Sequence, residues 1–83
     1  MAGVSVLYFA ALRDLAGKAS EEVELPDGPV TVAMLRVLLE KRHAGLSGRL
    51  AGVRVALNEE FTDETASIAA GDVVALIPPV SGG

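Results

Sequence analysis

The sequence predicts a single α+β domain, in which a mixed sheet of four to five strands carries one main helix on one face. A chain of 83 residues has the usual size of one domain. One long segment, residues 32–42, repeats its apolar residues at helical spacing. Two apolar, strand-like segments lie near the ends of the chain, at residues 4–9 and 73–77, and their composition indicates central strands.

The first strand is predicted over residues 4–9, which are rich in β-branched and aromatic side chains on both faces. Good helix formers follow in residues 10–16, and Gly17 is a natural stop, so we expect a short helix there. Arg13 should be exposed on this helix. Two interpretations of Arg13 stay open, a solvated charge and a contact with an acidic group on a partner.

The next segment, residues 21–25, alternates polar and apolar side chains, as an edge strand with one solvated face does. Thr31 is expected to cap the main helix over residues 32–42, and Gly45 is expected to end it. The apolar stripe of this helix is one-sided, so the helix should pack on a sheet; its members are Val32, Leu35, Leu38 and Leu39.

The second half of the chain reads as strands joined by turns. Strict alternation predicts a strand over residues 53–57. A turn at residues 58–60 should follow, because Asn58 tolerates the left-handed conformation, and a short strand begins at residues 61–62. Residues 73–77 are almost entirely apolar, so we expect them to form a strand buried on both faces.

The formal net charge of −4 disfavours binding to nucleic acids and anionic membranes, and it suits a basic partner. No apolar segment is long enough to span a bilayer, and the first residues lack the pattern of a secretory signal. We therefore expect a cytoplasmic protein that binds neither membrane nor nucleic acid.

The side chains offer little catalytic chemistry. The sequence has no cysteine, which excludes disulfides, zinc–thiolate sites and a catalytic thiol. The single histidine, His43, is better explained as a cation at the end of the main helix than as a metal ligand or base. The carboxylates near the turns show no recognised ligand spacing; they are Glu59, Glu60, Asp63, Glu64 and Asp72. We expect no metal and no cofactor bound by the chain itself.

The C-terminal residues 78–83 are predicted to form an extended, flexible and functional tail behind a domain of residues 1–77. Pro78 and Pro79 end the last strand and favour extended backbone. Gly82 and Gly83 lack side chains, so their backbone fits a narrow slot in a partner. Val80 and Ser81 lie between the two prolines and the two glycines. The free carboxylate of Gly83 is the expected working group; the competing interpretation is a frayed chain end without function.

The sheet face opposite the main helix is a candidate docking surface. If Val6, Tyr8, Val74 and Leu76 face the helix, alternation turns Leu7, Phe9 and Ile77 outward, and Phe61 can join them. An exposed apolar patch of this kind commonly marks a protein partner. The alternative is that loops cover these residues.

Several segments resemble the small, sulfur-carrying subunits of molybdopterin synthase. The order of elements matches the ubiquitin-like β-grasp fold, and the most specific likeness is the Pro-Pro-Val-Ser-Gly-Gly ending that follows residues 71–77. The other similar segments are Tyr8-Phe9-Ala10 leading into residues 12–17, Thr31-Val32 ahead of Leu35-Arg36, and Asn58 before its turn.

This resemblance implies a carrier that is not catalytic alone. An E1-like adenylating enzyme would use ATP to activate the Gly83 carboxylate, and a sulfur donor would convert it to a thiocarboxylate. The carrier would then insert its tail into the large subunit of the synthase, in a heterotetramer, and deliver sulfur to a cyclic pyranopterin monophosphate. The residues expected to contact partners are Phe9, Arg13, Phe61 and Ile77.

Other recipients and other functions stay open. Sulfur carriers for thiazole, cysteine or tRNA thiolation share the Gly-Gly ending, although Pro-Pro before it favours molybdopterin. A ubiquitin-like protein modifier would instead join Gly83 to a lysine through an isopeptide bond. A plain β-grasp interaction module would have an inert tail.

Overall fold

The computed structural model describes residues 3–79 of the chain. The elements in chain order are β1 (Gly3–Tyr8), α1 (Ala11–Ala16), β2 (Ser20–Glu24), β3 (Val30–Thr31), α2 (Val32–Arg42), a 3-10 helix (Ala44–Leu46), β4 (Arg54–Leu57), β5 (Glu60–Thr62), β6 (Ser67–Ile68) and β7 (Val73–Ile77).

Five strands form one mixed sheet in the order β2-β1-β7-β4-β5. The two central strands, β1 and β7, are parallel, whereas β2, β4 and β5 each pair antiparallel with a neighbour. This arrangement confirms the predicted mixed sheet, with the first and last strands inside and β2 at an edge. With α2 on one face, it is the β-grasp architecture.

The two-residue strands β3 and β6 form a separate antiparallel pair that the sequence analysis missed. Two residues are too few to show a period, so their pattern could not be read. The pair lies just ahead of α2, where the amide of Val32 donates to the carbonyl of Ala66 at 3.0 Å. It therefore ties the start of the helix to the chain between β5 and β7.

The main helix has the predicted bounds. Its first turn is capped by Thr31, whose hydroxyl oxygen accepts a hydrogen bond from the amide of Met34 at 3.3 Å. The prediction that Gly45 ends the helix is wrong. The helix ends at Arg42 with His43 as its C-cap, and Gly45 lies inside the 3-10 helix. A Cβ atom at Gly45 would overlap the carbonyl oxygen of Leu15, so the glycine permits a close approach to α1.

The core lies between α2 and the inner face of the sheet, and it is aliphatic apart from Tyr8. Val32, Leu35 and Leu39 of the predicted helical stripe are buried, and Leu38 packs at the margin. The buried side chains from the central strands are Val4, Val6, Tyr8, Val74 and Leu76. None of the helices within residues 3–79 has the length and apolarity needed to cross a membrane.

Four strands begin one residue away from the predicted position, and β1 (Gly3–Tyr8) and β2 (Ser20–Glu24) also end one residue before the predicted ends at Phe9 and Leu25. The strand expected over 53–57 begins at Arg54, although Val53 is buried as expected. The turn after it involves only Asn58 and Glu59, with φ of 50° and 73°, and Glu60 already pairs with Leu57 in β5. This is a two-residue hairpin connection, which needs left-handed backbone at both positions.

Candidate functional site

The last described residues leave from the centre of the sheet. Strand β7 ends at Ile77, Pro78 is half-buried, and Pro79 is exposed. The prolines stop the strand where the sequence predicted, because they cannot donate a ladder hydrogen bond. The predicted tail residues Val80, Ser81, Gly82 and Gly83 lie outside the described residues, so their roles stay predictions.

The sheet face away from α2 is apolar and uncovered near the end of β7. The pairing register places Leu7, Ala75, Ala56 and Phe61 in one row across four strands. Phe61 is 55% exposed and Phe9 is 41% exposed, so loops do not cover them. Phe9 is therefore exposed as alternation predicted, and Phe61 joins it on the same face.

Two small side chains form the floor of this face. Ala56 and Ala75 are only 7% and 9% exposed although they point away from the helix. They lie between the larger side chains of Leu7 on one side and Phe61 on the other. The row thus places two small, buried side chains between two larger apolar ones.

Arg54 belongs to this face, and the sequence analysis did not identify it. It pairs in register with Ile77, and its guanidinium carbon lies 3.9 Å from the centroid of the Phe61 ring. Such stacking restrains a long side chain and leaves its N–H groups free to bind an anion. Alternation in residues 53–57 could have shown that Arg54 points outward, but the stacking depends on the register between β4 and β5.

A hydrogen-bonded loop supports the base of the tail. From α2, Arg36 donates to the carbonyl oxygens of Leu50, at 2.8 Å, and of Val53, while its Nε pairs with Glu64 at 2.7 Å. A methyl group placed on Gly52 in this loop would lie 3.9 Å from Cγ of Pro79. Arg36 therefore fixes the loop beside which the tail leaves the domain.

Arg13 is exposed on α1, as predicted, and α1 directly follows β1. The amide of Phe9, between the two elements, donates to the carbonyl of Leu76 at 3.3 Å. The structure thus brings Phe9, Phe61 and Ile77 to one face, and Arg13 lies on α1, which follows β1 at the end of the sheet where β7 ends. Within residues 3–79, no three His, Asp or Glu side chains are placed to hold a metal ion.

His43 lies on the helix side of the sheet, away from this face. Its Nε2 and the hydroxyl of Tyr8 both contact Oε2 of Glu21, and Nε of Arg42 contacts Oε1 at 3.1 Å. Burial raises the pKa of Glu21, but these hydrogen bonds outweigh it and lower the pKa to about 2. Burial and the bond to Glu21 also raise the pKa of Tyr8 far above its usual value. The cluster joins α2 to β1 and β2, so its role is structural.

Comparison with known proteins gives consistent results over nearly the whole chain. The model of the ThiS family matches residues 6–83. The molybdopterin synthase sulfur carrier subunit of Arabidopsis thaliana is 38% identical over 80 residues, which are 96% of this chain and 82% of that protein.

Two solved structures extend the comparison. The small archaeal modifier protein 1 of Haloferax volcanii superposes with a TM-score of 0.86 at 31% identity, covering 96% of this chain and all of that one. A chain of the complex between subunits 1 and 2 of the molybdopterin-converting factor of Helicobacter pylori 26695 has a TM-score of 0.70 at 26% identity, covering 98% of this chain and 99% of that one.

Proposed function

The chain belongs to the ThiS family, and from this membership we propose that it is the sulfur carrier subunit of a molybdopterin synthase. One structural observation carries the proposal. An uncovered apolar face, with Phe9 and Phe61 exposed, surrounds the central strand that continues into the Pro-Pro-Val-Ser-Gly-Gly ending. A partner that covers this face receives the end of the chain at a fixed position.

The chemistry is that of an activated acyl group on Gly83. An E1-like adenylating enzyme joins the Gly83 carboxylate to AMP and releases pyrophosphate from ATP. A sulfur donor supplies a hydrosulfide equivalent, which attacks the carbonyl carbon and expels AMP, leaving a thiocarboxylate. Thiolate sulfur is a far better nucleophile than carboxylate oxygen, so the loaded end can donate sulfur.

The recipient is a cyclic pyranopterin monophosphate held by the large subunit of the synthase. The thiocarboxylate sulfur bonds to a substrate carbon as a thioester, and water then cleaves the bond between the Gly83 carbonyl and sulfur, which leaves sulfur on the substrate and restores the carboxylate for another cycle. The large subunit supplies the side chains that act on the substrate, and the carrier contributes its docking face and its tail. The expected contacts are Phe9, Phe61 and Ile77 on the face and Arg13 beside it. A heterotetramer with two tails would load the two sulfur atoms of the dithiolene.

Mass spectrometry tests this proposal. The purified chain is incubated with ATP, the adenylating enzyme and a sulfur donor. The expected product is heavier by the difference between one sulfur and one oxygen atom. A chain lacking Gly83 should keep its thermal unfolding midpoint and show no mass gain, because the predicted domain ends at residue 77. A wild-type chain that stays a simple acid with every component present would contradict the proposal.

A second candidate function is that of a protein modifier. The similarity to the small archaeal modifier protein 1 of Haloferax volcanii favours it. In that case, the activated Gly83 would form isopeptide bonds with lysines. Conjugates that accumulate without any thiocarboxylate form would support the modifier. Loading with sulfur followed by transfer to thiazole, cysteine or tRNA precursors would keep the carrier chemistry and change the recipient.

A further inference from the structure

The charged side chains are distributed unevenly with respect to the tail. Because β1 is parallel to β7, the end of β1 and helix α1 lie at the end of the sheet where the tail begins. Because β4 is antiparallel to β7, its first residue, Arg54, lies at the same end and pairs with Ile77. At this end, Arg54 therefore lies beside Ile77 on β4, and α1, which carries Arg13, follows β1.

A third arginine, Arg49, lies three residues before Gly52, where an added Cβ atom would be 3.9 Å from Cγ of Pro79. Arg13, Arg49 and Arg54 are all exposed, and no carboxylate among residues 3–79 comes within 4.0 Å of them. Arg54 is also restrained by its stacking on Phe61. We call these three residues the basic collar.

Most acidic residues near the sheet lie at its other end. Glu24 pairs with Gly3, Glu60 pairs with Leu57, Glu59 is in the hairpin turn, and Asp72 precedes β7. Of the acidic groups nearer the collar, Glu21 and Glu64 pair with cations, whereas Asp14 and Asp63 form no salt bridge within residues 3–79. Glu21 binds Arg42 and His43, Glu40 accepts from the amide of Gly48 at 2.8 Å, and Asp63 accepts from Thr65. Asp14 on α1 is exposed.

This polarity revises the expectation drawn from net charge. A net charge of −4 suggests a basic partner, but three exposed arginines that form no salt bridge within residues 3–79 lie near the end of β7. We propose that the basic collar pairs with carboxylates on both sides of the opening through which the large synthase subunit receives the tail. This inference rests on the proposed function, because it assigns the charge of that partner's surface.

Physical chemistry indicates what the collar does. Guanidinium groups bind carboxylates through paired N–H bonds, and charges at the rim of an interface mainly accelerate association. Such acceleration is strongest at low ionic strength, because salt screens charges separated by more than about 10 Å at 0.1 M. The collar would orient the domain so that the tail faces the opening before the apolar face makes contact.

Stopped-flow association with the large synthase subunit encoded in the same genome tests the proposal. The variants are Arg13→Glu and Arg54→Glu, with Lys41→Glu as matched control. Lys41 is an exposed cation on α2, beside Pro26 and Met34, so its reversal changes net charge equally on the opposite side. At low salt we expect each collar variant to slow association about tenfold, and the control less than twofold.

The salt dependence of the association rates distinguishes electrostatic attraction by the collar from an effect of packing. The collar effect should shrink severalfold as ionic strength rises to about 0.5 M. Equal slowing by all three variants would overturn the proposal, because net charge alone would then explain the rates. Slowing by Arg54→Glu that does not change with salt would also overturn it, because Arg54 would then act by packing on Phe61. If Arg54→Glu lowers the unfolding midpoint, Arg54→Gln replaces it and should slow association about threefold.

The experiment separates this inference from the proposed function. It uses the unloaded chain, so association is measured without any sulfur chemistry. If the wild-type chain and the collar variants associate with the large subunit at the same rate, only the inference is overturned. A chain that gains no sulfur with ATP, adenylating enzyme and donor overturns the proposed function alone. A large subunit that does not bind the wild-type chain overturns the inference, while sulfur loading still reports on the carrier.

Discussion

The hydroxyl of Tyr8 donates to Oε2 of Glu21 at 2.5 Å, at the buried end of the pairing between β1 and β2. The same oxygen contacts Nε2 of His43, the residue that ends α2, and the rings of Tyr8 and His43 meet edge to face with centroids 6.1 Å apart. One carboxylate therefore holds the helix end against two strands. The Glu21 side chain is only 6% exposed, so its ionisation matters to folding.

Acid should destabilise the domain through Glu21. Its pKa is lowered from 4.5 to about 2 in the folded chain, so its ionised form contributes stability above about pH 4.5. That contribution, about 3 kcal/mol, is lost as pH falls from 4.5 towards 2. Chemical unfolding measured at several pH values should show this slope, and Glu21→Gln should reduce it. Glu22→Gln is the control, since Glu22 is an exposed neighbour; a similar flattening there would argue against the assignment.

The close packing of Gly45 against α1 gives a second prediction. A side chain at this position would meet the carbonyl oxygen of Leu15, so helix α1 or the 3-10 helix must move. We expect Gly45→Ala to lower the free energy of unfolding by about 1–3 kcal/mol, measured in urea. The exposed neighbour Ala44, changed to Ser, should cost less than about 0.5 kcal/mol. Equal changes in the free energy of unfolding for the two variants would show that the structure adjusts to the new side chain without losing stability.

Periodicity and end signals predicted most of the fold. Helix α2 has the predicted bounds because its stripe and its Thr31 cap are both local signals. Strand β7 was placed by its apolar composition alone. The short pair β3–β6 was missed because two residues show no period. The predicted role of Gly45 was wrong. A glycine is needed there because the chain approaches Leu15, thirty positions earlier, and no local pattern reveals that contact.

For the candidate site too, local patterns predicted some residues, whereas the role of others depends on strand pairing. Alternation along β1 and β7 identified Phe9 and Ile77 as outward residues, and exposure bears this out for Phe9. Arg54 was missed because its significance comes from the register with Ile77 and its stacking on Phe61. Likewise, total charge gave no indication that three exposed arginines lie near the end of β7. Features that depend on strand pairing could not be derived before the pairing was known.

The hairpin between β4 and β5 offers a stabilising substitution. Asn58 and Glu59 both have positive φ, and Asn58 also accepts from the amide of Val73 at 2.9 Å. The side chain of Glu59 forms no comparable hydrogen bond within residues 3–79, and left-handed backbone is unfavourable for a glutamate. Glu59→Gly creates the Asn-Gly pair preferred in such turns, so we expect about 0.5–1 kcal/mol of added stability. Thermal unfolding would check it; Asn58→Gly, which removes two side-chain hydrogen bonds, should lower stability instead.

The apolar face should contribute to partner binding far more than to folding. Phe9 and Phe61 are each about half exposed, so Phe9→Ser and Phe61→Ser should change the free energy of unfolding by less than about 1 kcal/mol. At an interface, loss of a central aromatic side chain commonly costs about 2 kcal/mol or more, a weakening of about thirtyfold. Isothermal titration with the large synthase subunit would measure this loss.

Val37→Ser is the matched control for these two variants. Val37 is 53% exposed on α2, on the side of the molecule away from the apolar face. We expect it to leave affinity unchanged within about twofold, because a surface residue outside an interface contributes little to binding. If Val37→Ser weakens binding as much as Phe9→Ser, the partner does not dock on the sheet face. If Phe9→Ser instead unfolds the domain, Phe9 supports the core, and Phe61 alone would represent the docking face.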